Sequence, residues 1–168
     1  MRILRTADSI RLQLDPVELQ TLADLLAELI EDLDADPQPD DAVHERLYPA
    51  AYVDTDAEQS FRKMTQAGLK TERIERAQQC LAELAEAPER TTAVTRRARH
   101  EVSLTDADSD RWMRVLNDLR LVLGTRLEIT EDDDHLGALD VGDPEAMSYV
   151  IYGWLTALQD NLVRVLMG

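Results

Sequence analysis

Apolar and polar positions change period several times along this chain, and each change marks an element. Ile3 and Leu4, the polar turn from Thr6 to Ser9, and then Ile10, Leu12 and Leu14 alternate as the two strands of a small β-hairpin do. Asp15 follows as a helix N-cap, with Pro16 at the first helical position and Glu18 three residues after the cap, the spacing of a capping box. Leu22, Leu25, Leu26, Leu29, Ile30 and Leu33 then recur on one helical face until Pro37 and Pro39 end the helix. RLYPAAY, residues 46–52, is expected to be a compact aromatic connector. A second helix, capped by Asp54 or Thr55, carries Phe61, Met64 and Gly68 on one face, with Gly68 as a break. A third helical pattern runs through Ile74, Ala77, Leu81, Leu84 and Ala85 and stops at Pro88.

Residues 89–100, ERTTAVTRRARH, lack apolar periodicity and are expected to form a loop or linker. EVSL, residues 101–104, is strand-like, and Thr105 caps a long helix reaching about residue 128. The polar stretch EDDDHLGALDVGD leads to Asp143 and Pro144, which open a final helix. Its apolar face is Met147, Val150, Ile151, Trp154, Leu155, Leu158, Leu162, Val165 and Leu166. The expected fold is therefore mainly α, a helical bundle with a small N-terminal β-hairpin and a candidate third strand near 101–104.

A longer period underlies these elements. Leu12, Leu14, Leu22, Leu25, Leu26, Leu29 and Leu33 stand 90 positions before Val102, Leu104, Trp112, Val115, Leu116, Leu119 and Leu123, and the caps Asp15 and Thr105 share that offset. The match predicts two strand-cap-helix units, 10–33 and 100–123, inside a single domain covering 1–168, with their strands in one sheet and their long helices side by side. At the position of Ile30 the second unit has Arg120.

Composition agrees with a helical core. The chain has 168 residues, of which 44% are hydrophobic and only 4% aromatic, so Leu, Val, Ile and Ala must supply most of the packing. Thirty-four acidic against eighteen basic side chains give a net charge of −16, which repels nucleic acid and anionic lipid at long range and suits a basic or neutral protein partner. The first residues interrupt their apolar positions with Arg, Asp and Ser, unlike a signal-peptide core, and no segment approaches the roughly 20 apolar residues that span a bilayer. A single cysteine, Cys80, allows no intramolecular disulfide. A soluble, cytoplasmic protein with no membrane contact is expected.

Few residues invite chemistry. Arg120 and Arg126 lie at the edge of the apolar stripe in NDLRLVLGTRLEI, where a guanidinium must find acceptors; Asp118, Glu128 and the acidic stretch beyond are the candidates. They are structural ion pairs or, alternatively, a ligand or anion pocket. Cys80 borders a helix stripe, with Arg76 four residues before it and Glu83 three after; it is a structural thiol or, where exposed, a redox site forming an intermolecular or mixed disulfide. Arg96, Arg97 and Arg99, with His100, form the only basic cluster and are the candidates for nucleic-acid contact, against the alternative of a solvated loop. Glu131 to Asp134, with Asp140 and Asp143, lack the glycine and glutamate positions of an EF-hand. No HExxH, GxSxG or phosphate-cradling loop is present, and one Cys with three scattered His make no zinc module. No enzyme, metal or cofactor is expected.

RLYPAAY, DAEQSFRKMTQAGL, WMRVLNDLRLVLGTRLEI and YGWLTALQDNLVRVL together resemble a family of actinomycete bacteria, the AosR-like oxidative-stress transcriptional regulators, formerly a domain of unknown function. The resemblance covers nearly the whole chain. Genes of that family tend to lie near a Clp-protease adaptor and a cysteine-synthesis cluster, so it implies cytoplasmic redox or sulfur regulation through contact with a protein such as a sigma factor. Redox sensing in the family is ascribed to a cysteine pair, and this chain departs from it in having only Cys80. The expectation is a non-enzymatic regulator that binds other proteins and, with them, DNA. The rivals are a small-ligand-binding protein or enzyme with a pocket near Arg120 and Arg126, and a structural homodimer formed through the final helix.

Overall fold

The computed structural model describes residues 1–36, 41–50, 55–91, 98–130 and 145–168, without the side chains of 55 and 57–63. Strand β1 (Arg2–Arg5) pairs antiparallel with β2 (Ile10–Leu14), Arg2 facing Gln13 and Arg5 facing Ile10. The Thr6 hydroxyl closes the turn by donating to the Ser9 carbonyl at 2.8 Å and accepting from the Ser9 N–H at 3.1 Å. Ile10, Leu12 and Leu14 point inward and are buried, while Arg11 points out, as the period of two requires.

The stretch expected to be a loop supplies one strand and the start of another. β4 (Ala98–Leu104) begins before the predicted 101 and pairs antiparallel with β2, and β3 (Glu89–Thr91) pairs with its outer side, giving the order β1-β2-β4-β3. All three β3 side chains are exposed, so this edge strand is held by backbone hydrogen bonds and leaves no apolar pattern to detect. Leu12 lies opposite Val102, its own counterpart at the 90-residue offset, with Ile10 opposite Leu104. Each central strand then runs into a helix closed by a capping box, at Asp15 and at Thr105.

Helix α1 (Pro16–Asp34) starts where the Asp15 carboxylate accepts from the N–H groups of Val17 and Glu18, both at 3.0 Å, while Glu18 accepts from the Asp15 N–H at 2.8 Å. Its buried stripe is Leu22, Leu26, Leu29 and Leu33. A short helix, α2 (Ala42–Leu47), capped by Asp41, occupies what begins as the expected aromatic connector and buries Leu47. The two helices expected on either side of Gly68 are one, α3 (Thr55–Ala85). Glycine costs a helix interior only about 1 kcal/mol, which the packing of α3 on α1 outweighs. A Cβ built on exposed Gly68 meets no atom within 4 Å. Gly68→Ala is therefore expected to stabilise the protein by about 0.5–1 kcal/mol, read as a higher urea midpoint with an unchanged slope.

Helix α4 (Asp106–Arg126) is the hub of the bundle, touching β4, α1, α2, α3 and α5 (Ala146–Met167). It buries Trp112, Val115, Leu116, Leu119 and Val122 in one core cluster with β2, β4 and the stripes of α1, α3 and α5. α4 ends with Glu128 at φ 52°, the left-handed position of a helix stop, where the Ile129 N–H returns to the Gly124 carbonyl at 2.9 Å. On α5 the expected face is buried at Leu155, Leu158 and Leu162, but Met147 and Val150 are 66% and 55% exposed. Periodicity assigns residues to a face and not to a depth, and in the first turns of that face Ile151 packs against the core while Met147 and Val150 do not. Residues 131–144, including the expected cap at Asp143 and Pro144, lie outside the described residues.

Candidate functional site

The polar chemistry of the molecule is arranged around α4. Arg120 turns toward α5, where its Nε donates to the Thr156 hydroxyl at 3.1 Å and its Nη1 to the Gln159 carboxamide oxygen at 2.5 Å. Its guanidinium also lies 5.6 Å from the centre of the Tyr152 ring. Gly124 makes that stacking possible, since a Cβ there would stand 3.1 Å from the Tyr152 ring. Asp118, an expected partner of Arg120, pairs elsewhere. Neutral acceptors and an aromatic face thus solvate the Arg120 charge, which opens onto a cleft of about 420 Å³ with Arg46, Glu128 and Thr130.

Arg126 takes a different direction. Its Nη2 donates to both oxygens of Asp32, at 2.7 and 2.8 Å, joining the ends of α4 and α1. Nearby, the Lys70 ammonium reaches back to the Asp34 carbonyl at 2.6 Å, a cation at the negative end of α1. Both contacts border a cleft of about 580 Å³, whose walls include Leu33, Val43, His44, Leu47, Ala67 and Arg126. His44 is held there by Gln66 at 2.8 Å. Arg126 lines the cleft of about 580 Å³ and Arg120 the separate one of about 420 Å³.

Asp118 is the buried anion of the core. It accepts from Arg73 of α3, whose other nitrogen donates to the Leu47 carbonyl at 2.9 Å and whose guanidinium lies 5.2 Å from the Tyr48 ring centre. One arginine thereby ties α2, α3 and α4 together. Burial pushes the Asp118 carboxyl above its ordinary range despite the opposing charge of Arg73, with Arg76 and Arg114 also opposing. Burial likewise raises the Tyr48 phenol, whose oxygen has no hydrogen-bond partner among the described residues.

Cys80 is fully buried on α3. Desolvation, reinforced by Glu83 and opposed by Arg111, pushes its thiol up to about 12. Arg111 is itself committed to Glu83 and Asp108, and the Trp112 indole donates to Glu83 at 2.7 Å. The surface needed for an intermolecular or mixed disulfide is therefore missing at this thiol. Of the basic cluster, Arg99 lies half-buried in β4 opposite Arg90, and His100 sits 3.3 Å from the Ala87 carbonyl. Arg96 and Arg97 lie outside the described residues, as do the acidic run 131–134, Asp140 and Asp143. Among the described residues no group of His, Cys, Asp or Glu is placed to hold a metal ion, and no helix is long and apolar enough to cross a membrane.

A family described as a domain of unknown function, DUF2017, matches residues 1–166. The chain belongs to that family. Among its relatives, a Mycobacterium leprae protein whose name offers oxidative stress regulator AosR as a provisional assignment is 30% identical over 145 residues, covering 78% of this chain and 61% of that protein. The oxidative stress regulator AosR of Mycobacterium tuberculosis is 43% identical over 67 residues, covering 40% of this chain and 30% of the relative. A Mycobacterium bovis protein of the same name matches to the same extent. The aligned parts thus span less than two thirds of these relatives' own lengths. No solved structure matches the chain. This DUF2017 member has a single cysteine, Cys80, and it is buried.

Proposed function

We propose that this DUF2017 protein is a cytoplasmic regulator of the oxidative-stress response that works by binding another protein and not by catalysis. One observation carries the reading: the alignment with a relative named as such a regulator extends over 78% of the chain. Its mechanism would be surface recognition, with the cleft between α1, α2 and α3 as the docking place and a sigma factor as the partner class. The net charge of −16 favours a neutral or basic partner surface and disfavours direct contact with DNA. Oxidant sensing would belong to the partner, because Cys80 offers neither exposure nor thiolate.

A second reading rests on the size of the same cleft. About 580 Å³ lies within the range of small-molecule sites, roughly 300–1,000 Å³, and Arg126 on its wall could orient an acid. Ala67 is exposed on that wall, so Ala67→Arg crowds the cleft without touching the core. Titration calorimetry of the purified chain against sigma factors of its host, with promoter DNA as a separate arm at low salt, decides between the readings. Saturable binding to one sigma factor, weakened by Ala67→Arg, is the expected result. Absence of binding to every sigma factor, together with a metabolite that raises the melting temperature of the wild type and not of Ala67→Arg, would establish the small-ligand reading instead.

A further inference from the structure

Three guanidiniums gather at the α3–α4 contact. A cleft of about 320 Å³ is lined there by Arg73 and Arg76 of α3, by Arg114 and Asn117 of α4, and by Asp118 at its floor. Residues three apart share a helix face, so each helix presents two polar side chains to the same space. Arg73, Arg76 and Arg114 all lie within electrostatic reach of Asp118, and Arg114 also feels Glu72 across the cleft.

The charges are unequally committed. Arg73 spends its nitrogens on Asp118 and on the Leu47 carbonyl, and it neutralises the only buried carboxylate of the cleft. Arg76 and Arg114 have weaker ties. Their partners, Glu72 at 2.7 Å and Asp110 at 2.9 Å, stand one turn away on the same helices, and those carboxylates are 61% and 67% exposed. Exposed pairs of this kind exchange readily with water and with other anions. Arg76 retains a further donor: its Nε is buried and has no acceptor among the described residues. A donor in that state is an opening for an acceptor that the protein itself does not supply.

We propose that the Arg73–Arg76–Arg114 cleft is a binding site for a single oxyanion, a carboxylate or a phosphate group. Arg76 and Arg114 would grip it from opposite helices with their planar forks, exchanging Glu72 and Asp110 for the ligand, while exposed Asn117 adds a neutral donor. A net charge of −16 repels polyanions, so the ligand is a compact anion or one acidic side chain of a bound protein. This site shares no lining residue with the cleft between α1, α2 and α3, which Arg73 reaches only through Leu47 and Tyr48, and it does not depend on the regulatory reading.

Titration calorimetry on the full chain at constant ionic strength tests it, with inorganic phosphate in one arm and a short glutamate-bearing peptide in the other. Saturable one-site binding is expected, weakened at least about tenfold by Arg114→Gln and by Arg76→Gln and unchanged by Arg90→Gln on exposed β3. Arg114 is 60% exposed, so its variant keeps the fold and isolates the loss of the ligand contact. Phosphate binding identifies a free anion as the source; binding of the peptide alone identifies a partner's carboxylate. If neither probe saturates, or if Arg114→Gln binds both as tightly as the wild type, the proposal is overturned.

Discussion

Cys80 in the native chain is expected to react with iodoacetamide at neutral pH at least about thirtyfold more slowly than in the urea-unfolded chain. Its thiol is pushed from 9.0 up to about 12, so the thiolate, the form that reacts, is about a thousandfold scarcer. Intrinsic nucleophilicity rises with basicity and returns roughly one and a half of those three powers of ten. What remains is about thirtyfold from ionisation, and complete burial adds to it by restricting attack to molecules that have opened locally. The same shift has a consequence for stability. The unfolded thiol loses its proton near its ordinary value while the native one keeps it to about 12, so stability is expected to fall as pH rises between them. Alkylation of the native protein as fast as of the unfolded chain would show that Cys80 is exposed in solution and would return it to the list of oxidant sensors.

Features set by neighbouring residues were legible in the sequence. The capping box at Asp15 and the cap at Thr105 depend on residues within one turn, and the buried stripe of α1 depends only on the helical period. Features set by distant partners were not. Arg120 finds Thr156 and Gln159, 36 and 39 positions on, so the sequence showed that acceptors were needed without showing which, and Arg73, whose partner Asp118 is 45 positions away, left no local signal at all. The edge strand β3 escaped notice because backbone bonds alone hold it, and Gly68 looked like a break because its cost is visible locally while the packing that offsets it is not. The 90-residue period links the two scales. Leu12 faces Val102, its own counterpart, across the centre of the sheet, and each is flanked by an outer strand and followed by a capped helix. We propose that the two units descend from one hairpin-helix ancestor paired about a local two-fold axis, within a single domain. Antiparallel pairing is what such symmetry demands, since a two-fold axis normal to a sheet reverses strand direction.

Within that frame the substitution of Ile30 by Arg120 and the placing of Asp118 beside it make α4 the polar member of the pair, and Asp118 carries the largest expected energetic effect. Asp118→Ala should destabilise the protein by about 3 kcal/mol, near the lower end of the cost of breaking a buried pair, because the abandoned Arg73 is about one-fifth exposed and keeps the Leu47 carbonyl. For a chain of this length that is roughly a 6–12 °C drop in melting temperature. Arg73→Met is the opposite case: it strands a carboxylate that is only 7% exposed, which escapes part of the penalty by taking up a proton. Replacing both, as Arg73→Met with Asp118→Leu, should recover much of either loss, because removing both charges also removes the desolvation cost. The pH dependence gives the sign. Burial raises the native Asp118 carboxyl, so the folded state binds this proton more tightly than the unfolded state does. Relative to Asp118→Asn, the wild type should therefore gain stability as pH falls through the raised native value, with no further change below the unfolded one. Urea melts of the two proteins across that interval measure the difference directly. A gap that narrows in the wild type's disfavour on acidification would mean that Arg73, and not burial, governs the charge state of Asp118.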